Sequence, residues 1–128
     1  LSKMQRYAKL LDAENSVSHL NEFVWACLQT WTRRIPFGIY NITNPGSITT
    51  REVVAKIRKT LLNEKHFEFF ASETEFMNVA AIAPRSNCVL STEKLTSNGI
   101  KLRSVEDAIS QSLNEWTQTT AKDAIGVG

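Results

Sequence analysis

The sequence predicts a small α+β domain of about five helices with a few short strands. Apolar residues recur at helical spacing in several segments, whereas runs of aromatic and β-branched residues are few and short. The two kinds of segment do not alternate regularly enough to build a parallel sheet from this chain alone, which favours an α+β layer. With 128 residues, 42% of them hydrophobic, the chain is large enough for one core and too short for two full domains.

Two helices are predicted before the first proline. A short amphipathic helix within residues 3–12 is indicated by the helical spacing of its apolar side chains, Met4, Tyr7, Ala8 and Leu11. The polar connector Asn15-Ser-Val-Ser18 separates it from a second helix, which starts near Leu20 and is stopped by Pro36. The apolar positions of that helix, which we expect to form one face, are Phe23, Val24, Cys27, Leu28 and Trp31.

A strand, a turn and a capped helix are predicted in the middle of the chain. Residues 37–42 are rich in aromatic and β-branched side chains and are predicted to form a buried strand. The following turn, Asn44-Pro-Gly46, has the composition of a phosphate loop, but we interpret it as structural because the next helix carries its own cap. That cap is the capping box Thr49-Thr-Arg-Glu52, and the inward side chains behind it are Val53, Val54, Ile57 and Leu61.

Shorter elements are predicted in the last half. Residues 66–70 and 87–90 are indicated as short strands, and Ser72-Glu-Thr-Glu75 repeats the capping-box pattern ahead of a short helix that Pro84 ends. A helical turn is expected over residues 91–95, with Gly99 at its exit. The last helix opens at Ser104 and Asp107, and its predicted inner face consists of Val105, Ala108, Ile109, Leu113 and Trp116.

Composition excludes several classes of partner. The net charge is +2 and the basic residues are scattered, so nucleic acid is not expected as a partner. No apolar run approaches the roughly 20 residues of a membrane span, and no signal-like stretch opens the chain. Cys27 and Cys88 lie far apart, without disulfide or zinc spacing, and are expected to be reduced. These features predict a cytoplasmic protein.

The groups needed for catalysis are absent from the sequence. A dinucleotide site requires a glycine-rich turn between a strand and a helix, but the one Gly-x-Gly, Gly126-Val-Gly128, has no helix behind it. A tyrosine followed four residues later by lysine is also missing. His19 and His66 are isolated from one another and from paired carboxylates, so neither is predicted to bind a metal. We therefore predict no catalytic residue and no metal site.

Three segments carry a resemblance to a known family. They are Asn15-Ser-Val-Ser18, then Gly38-Ile-Tyr-Asn-Ile-Thr-Asn-Pro-Gly46 with Thr49-Thr-Arg-Glu52, then Ala83-Pro-Arg-Ser-Asn87 with Lys94-Leu95. In this order and spacing the chain resembles the C-terminal part of extended short-chain dehydrogenase/reductases acting on nucleotide sugars, most closely the rhamnose-synthesis 3,5-epimerase/4-reductases. The resemblance implies that residues 1–128, which begin with leucine, are the C-terminal substrate-binding domain of a longer parent. It further implies a missing N-terminal Rossmann domain holding NAD or NADP, with no cofactor bound by this chain alone.

The same resemblance supplies candidate site residues for a nucleotide-sugar substrate. Arg85 matches the family's arginine near the diphosphate, and a guanidinium offers a planar fork to phosphate oxygens. Ser86 and Asn87 are expected to add neutral hydrogen bonds. Asn15 and Ser18 are weaker candidates because such residues often satisfy backbone groups in turns, and many sugar-nucleotide epimerases have arginine at the position of Asn15. Without the resemblance, Arg85 would be interpreted as an ordinary loop arginine.

A second hypothesis is a free-standing, non-catalytic module that binds a nucleotide or a protein. It predicts a monomer with a polar surface throughout. The first hypothesis predicts an exposed apolar patch where the Rossmann domain packs, or a homo-oligomer that covers this patch. The aromatic side chains expected in the core or at such an interface are Trp25, Trp31, Phe37 and Tyr40.

Overall fold

A computed structural model describes residues 1–62, 64–83 and 86–125. This part of the chain contains six helices and four strands of two residues each, which confirms the predicted α+β class. In chain order the elements are α1 (Ser2–Arg6), β1 (Lys9–Leu10), β2 (Glu14–Asn15), α2 (Leu20–Thr32), β3 (Ile48–Thr49), α3 (Thr50–Leu61), β4 (Glu68–Phe69), α4 (Glu73–Val79), α5 (Glu93–Ser97) and α6 (Val105–Ile125).

The strands form two separate pairs. β1 runs parallel to β4, with Leu10 opposite Phe69, and β2 runs antiparallel to β3, with Asn15 opposite Ile48. Each pair links segments that are distant in sequence. The strands therefore position the N-terminal residues against the middle of the chain.

The main core lies between α3 and α6. Ile57 on α3 and Leu113 on α6 are completely buried, as the helical spacing of their neighbours predicted. The remaining buried members of this core are Leu10, Ile48, Val53, Val54, Phe67, Val105 and Ile109. A second, smaller cluster contains Ala26 of α2, Leu95 of α5 and Ile100.

Helix caps follow the predicted chemistry with one difference. The Thr49 hydroxyl accepts a hydrogen bond from the Glu52 N–H, and the Glu52 carboxylate accepts one from the Thr49 N–H at 2.7 Å, so the first capping box is complete. Ser72 caps α4 in the same way, but the Glu75 carboxylate reaches the N–H of Ala71 instead of that of Ser72. Glu75 also pairs with a lysine of β1, which draws its carboxylate away from the capping position.

Three local predictions are wrong. The helix expected within residues 3–12 ends at Arg6, because Leu10 enters the main core through the pairing of β1 with β4. Residues 37–42 form no strand, and Phe37 and Ile39 are exposed instead of buried. Residues 87–90 are irregular as well. Neither segment finds a partner strand among the described residues, and an isolated extended segment leaves its backbone groups to other partners.

The turn before α3 is structural, as predicted. Asn44 is completely buried, and its side-chain oxygen accepts a hydrogen bond from the backbone N–H of His19 at 2.7 Å. Its side-chain nitrogen donates to the Glu22 carboxylate at 2.9 Å and to the backbone carbonyl of Arg103 at 3.0 Å. Gly46 has a φ of +96°, a conformation that favours glycine. Asn44 thus connects the start of α2 to the segment before α6.

Candidate functional site

The structure brings two of the predicted site segments together. The side-chain oxygen of Asn15, on β2, accepts a hydrogen bond from the backbone N–H of Cys88 at 2.8 Å. The N–H of Ser16 donates to the carbonyl of Cys88, and the Ser16 hydroxyl accepts from the N–H of Leu90, both at 2.8 Å. Residues 88–90 therefore lie alongside residues 15–16, and we call these two segments the substrate segments because they contain or adjoin residues predicted from the sequence to bind substrate.

The predicted site residues differ in how the structure places them. Arg85 lies outside the described residues. Ser86 and Asn87 are exposed and immediately precede Cys88, which fixes them next to Asn15. Ser18 points elsewhere, because its hydroxyl donates to the backbone carbonyl of Ile42 at 2.9 Å. Asn15 and Ser18 thus have the backbone-holding contacts that their residue types often make.

A charged group anchors the start of α2. The Glu22 carboxylate accepts hydrogen bonds from the backbone and side-chain nitrogens of Arg103, both at 3.1 Å, in addition to the one from Asn44. Burial alone would raise the pKa of Glu22, but these hydrogen bonds outweigh it and hold the pKa below the ordinary value. Glu22 therefore stays ionised at neutral pH and anchors α2 to the segment before α6.

The face of α2 that was predicted to pack inward is mostly exposed. Ala26 is the buried residue of this helix, whereas Trp31 exposes 84% of its surface and Phe37, beyond the helix end, is fully exposed. We call the following set the α2 apolar surface: Leu20, Phe23, Val24, Trp25, Leu28, Trp31, Phe37 and Ile39. Single exposed apolar side chains are ordinary, but a group this large on one helix and its following loop is typical of an interface.

An open groove of about 740 Å³ adjoins this surface. It is formed by the end of α2 and the loop behind it, and its lining residues are Thr30, Trp31, Arg34, Ile35, Pro36, Phe37, Gly38, Tyr40 and Ile42. The groove lies next to the connector before α2, because the carbonyl of its lining residue Ile42 accepts a hydrogen bond from the Ser18 hydroxyl. The groove and the α2 apolar surface thus share Trp31 and Phe37.

Lys94 makes contacts that the sequence does not predict. It occurs in the third resembling segment, but no function was predicted for it. Its ammonium group donates to the backbone carbonyl of Ile39 at 3.0 Å and lies 4.6 Å from the centre of the Tyr40 ring. A lysine on a short helix gives no sequence signal for such a long-range contact.

Carboxylates occupy the first turns of the three longest helices. A pyrophosphate binds at an open helix N-terminus, but the first turns of α2, α3 and α6 each hold a carboxylate, from Glu22, Glu52 and Glu106 respectively. Within residues 1–62, 64–83 and 86–125, no group of three or more potential metal ligands occurs. Over the same ranges, no helix has the length and apolar character required to cross a membrane.

The known proteins reported below as similar in sequence are enzymes of rhamnose synthesis. No family model matches the chain. Over 109 residues it is 29% identical to a bifunctional dTDP-4-dehydrorhamnose 3,5-epimerase/dTDP-4-dehydrorhamnose reductase of Arabidopsis thaliana, an alignment covering 85% of this chain and 35% of that enzyme. It is 28% identical, again over 109 residues, to a trifunctional UDP-glucose 4,6-dehydratase/UDP-4-keto-6-deoxy-D-glucose 3,5-epimerase/UDP-4-keto-L-rhamnose-reductase of the same plant, covering 85% of this chain and 16% of the relative. The chain therefore spans about a third of the first relative and about a sixth of the second.

The fold has a counterpart among solved structures. The UDP-rhamnose synthase of Acanthamoeba polyphaga mimivirus superposes with a TM-score of 0.74 at 24% sequence identity, covering 88% of this chain and 38% of that one. This likeness shows that the chain has the fold of part of that protein. The resemblance inferred from the three sequence segments is therefore confirmed: the homologues of this chain are bifunctional and trifunctional enzymes of rhamnose synthesis.

Proposed function

We propose that residues 1–128 form the C-terminal substrate-binding domain of a longer, cytoplasmic nucleotide-sugar epimerase/reductase of the extended short-chain dehydrogenase/reductase type. In this proposal the chain holds the nucleotide sugar and is not catalytic alone. An N-terminal Rossmann domain supplies NAD or NADP and the catalytic tyrosine and lysine. The similarity to rhamnose-synthesis enzymes and the chain's coverage of only part of them support this division.

The α2 apolar surface is the observation that carries the proposal. A free-standing module is expected to be polar all round, but here Trp31, Phe37 and Ile39 each expose more than four fifths of their area. Burying one large apolar side chain contributes about 1.5–3 kcal/mol, so a partner domain that covers several of them gains substantial affinity. We therefore favour the interdomain surface over the free-standing module.

The unformed strand at residues 37–42 supports the same conclusion. Its composition favours a strand, yet none of its backbone groups pairs with another backbone group in the described part of the chain. Side chains already donate to the carbonyls of Ile39 and Ile42, and a sheet edge in a partner domain would supply partners for other backbone groups of the segment. The exposed side chains of Phe37 and Ile39 would then be covered together with α2.

The substrate segments are proposed to hold the diphosphate of the substrate. Arg85 precedes Ser86 and Asn87 in the sequence, and the backbone N–H groups of Cys88 and Leu90 are held by Asn15 and Ser16. A guanidinium binds a diphosphate through paired, charge-assisted hydrogen bonds. Ser86 and Asn87 are exposed and available to add neutral hydrogen bonds from the same segment.

A nucleotide titration tests the proposal. We expect UDP or dTDP to shift the backbone NMR signals of residues 15–18 and 86–90, and Arg85→Ala to weaken binding at least about tenfold, the loss of one hydrogen-bonded charge contact. The control is Arg58→Ala, which removes an exposed arginine from α3 and is expected to leave the affinity unchanged. Absence of any shift, or equal affinities of both variants, would contradict the assignment of the site.

Activity measurements test the division between domains. The 128-residue chain alone is expected to reduce no 4-keto-6-deoxy nucleotide sugar, with either NADH or NADPH present, because the cofactor-binding groups are on the other domain. Measurable turnover by the purified chain would contradict the proposal. Light scattering measures the oligomeric state of the chain as a second readout. A homo-oligomer that dissociates in the Trp31→Ser variant would identify a second copy as the occupant of the α2 apolar surface.

A further inference from the structure

The 37–42 segment is held in place by side chains from the rest of the chain. Lys94 donates to the carbonyl of Ile39 at 3.0 Å, and the side-chain nitrogen of Asn41 donates to the carbonyl of Ser91 at 2.9 Å. Ser91 lies just before α5, and Lys94 lies in its first turn. The segment is thus attached at two points to the short stretch of chain that contains Ser91 and Lys94.

That stretch continues directly from one of the substrate segments. The N–H of Leu90, the residue before Ser91, donates to the Ser16 hydroxyl, and the N–H of Cys88 donates to Asn15. A single run of eight residues, 87–94, therefore contacts β2 at one end and the 37–42 segment at the other. The two hydrogen bonds thus link the 37–42 segment to the residues at the start of α5.

The Lys94 ammonium group lies directly against the 37–42 segment. A Cβ atom added to Gly38 would lie 2.6 Å from the Lys94 nitrogen, so a side chain at Gly38 would displace the ammonium group. The same ammonium lies over the face of Tyr40, where a cation is attracted by the aromatic ring. The position of Lys94 is therefore set by three consecutive residues of the segment, Gly38, Ile39 and Tyr40.

We infer that Lys94 is a positioning residue that couples the 37–42 segment to the substrate segments. Contact of a partner domain with the 37–42 segment then stabilises the conformation of residues 88–90, and nucleotide binding at residues 86–90 in turn strengthens that contact, since such coupling is reciprocal. This inference rests on the proposed function for the identity of the ligand. The contacts that carry the coupling are independent of that identity.

Hydrogen exchange of the 128-residue chain tests the coupling without a ligand. Lys94→Met keeps the apolar stem and removes the charge, and we expect the amides of Cys88 and Leu90 to exchange at least about fivefold faster, the lower end of coupling between linked sites. Asn41→Ala, which removes the second contact, is expected to act in the same direction. Lys94→Arg retains a donor for Ile39 and is expected to restore most of the protection. The control Lys101→Met alters another exposed lysine and is expected to change nothing.

The outcomes separate this inference from the proposed function. Unchanged exchange at Cys88 and Leu90 in Lys94→Met, with the protection of the Ile57 amide retained as proof of folding, would overturn the coupling. Affinity for UDP or dTDP should fall at least about fivefold in the same variant. If the wild-type chain binds neither nucleotide, the proposed function fails while the exchange result still decides the coupling. If the nucleotide binds equally to wild type and Lys94→Met, the link to the substrate segments is refuted.

Discussion

Among the polar residues that the structure describes, Asn44 is the one whose replacement by alanine is expected to destabilise the fold most. Asn44 is completely buried and makes three side-chain hydrogen bonds, to His19, Glu22 and Arg103. Each buried group that loses its partner costs about 1 kcal/mol, and a charged acceptor costs more. We therefore expect Asn44→Ala to lower the free energy of unfolding by about 3–5 kcal/mol, a large share of the roughly 5–15 kcal/mol typical of a domain.

Urea denaturation monitored by circular dichroism at pH 7 measures this loss. The matched control is Asn21→Ala, which changes an exposed asparagine of α2 and is expected to alter stability by less than about 0.5 kcal/mol. Asn44→Asp is expected to be at least as damaging as Asn44→Ala at neutral pH, because it places a second carboxylate against Glu22. A loss below about 1 kcal/mol for Asn44→Ala would refute the reasoning, since it would mean that these hydrogen bonds are replaced by water.

Other predictions concern pH, capping and the apolar surface. The folded pKa of Glu22 is lowered below its ordinary value of 4.5, so its contribution to stability is present at pH values above 4.5 and is lost as the pH falls through the folded pKa. Urea titrations at pH 7 and pH 3.5 should show a smaller acid loss in Glu22→Gln, and parallel losses would contradict this. Thr49→Ala should cost about 1 kcal/mol of helix capping in the same assay, and an unchanged midpoint would argue against the capping box. Phe37→Ser with Ile39→Ser should reduce binding of a hydrophobic dye without lowering the unfolding midpoint, and a fall in the midpoint would show that these side chains already support the fold.

The sequence predicted those elements whose stability is local or whose partner is in the same chain. The capping box of α3 depends on residues three positions apart, and its helix packs the predicted face into the main core. The inner face of α6 follows the same logic, since Val105, Ala108 and Leu113 are all buried. Short-range hydrogen bonding and helical periodicity were sufficient in both cases.

The strand predicted within residues 66–70 is present as β4, but the packing of α2 and of residues 37–42 was predicted wrongly. Apolar periodicity identified α2 but assigned its apolar face to the core of this chain, whereas Trp31 is mostly exposed. Residues 37–42 have strand composition, but a strand also needs a neighbour, and the described residues supply none. A pattern of residues shows that a surface is suited to burial and does not show which molecule buries it.

The candidate site shows the same contrast. The resemblance to a known family indicated the segments that contain Asn15 and Asn87, and the fold brings these segments together. The buried hydrogen bonds of Asn44 and the contacts of Lys94 join residues that are more than 20 positions apart, so neither helical nor strand periodicity could reveal them. Such contacts depend on the tertiary structure.

The central claim is that this chain provides the substrate-binding part of an enzyme whose catalytic groups lie on another domain. The most direct test is a chimera in which the 109 matched residues of the Arabidopsis bifunctional enzyme are replaced by the corresponding part of this chain. Reduction of a 4-keto-6-deoxy nucleotide sugar is followed through oxidation of NADPH or NADH. The account predicts turnover by the chimera, its loss when the segment is deleted, and a raised KM when the segment carries Arg85→Ala. A folded chimera that binds the cofactor but shows no turnover would contradict the claim.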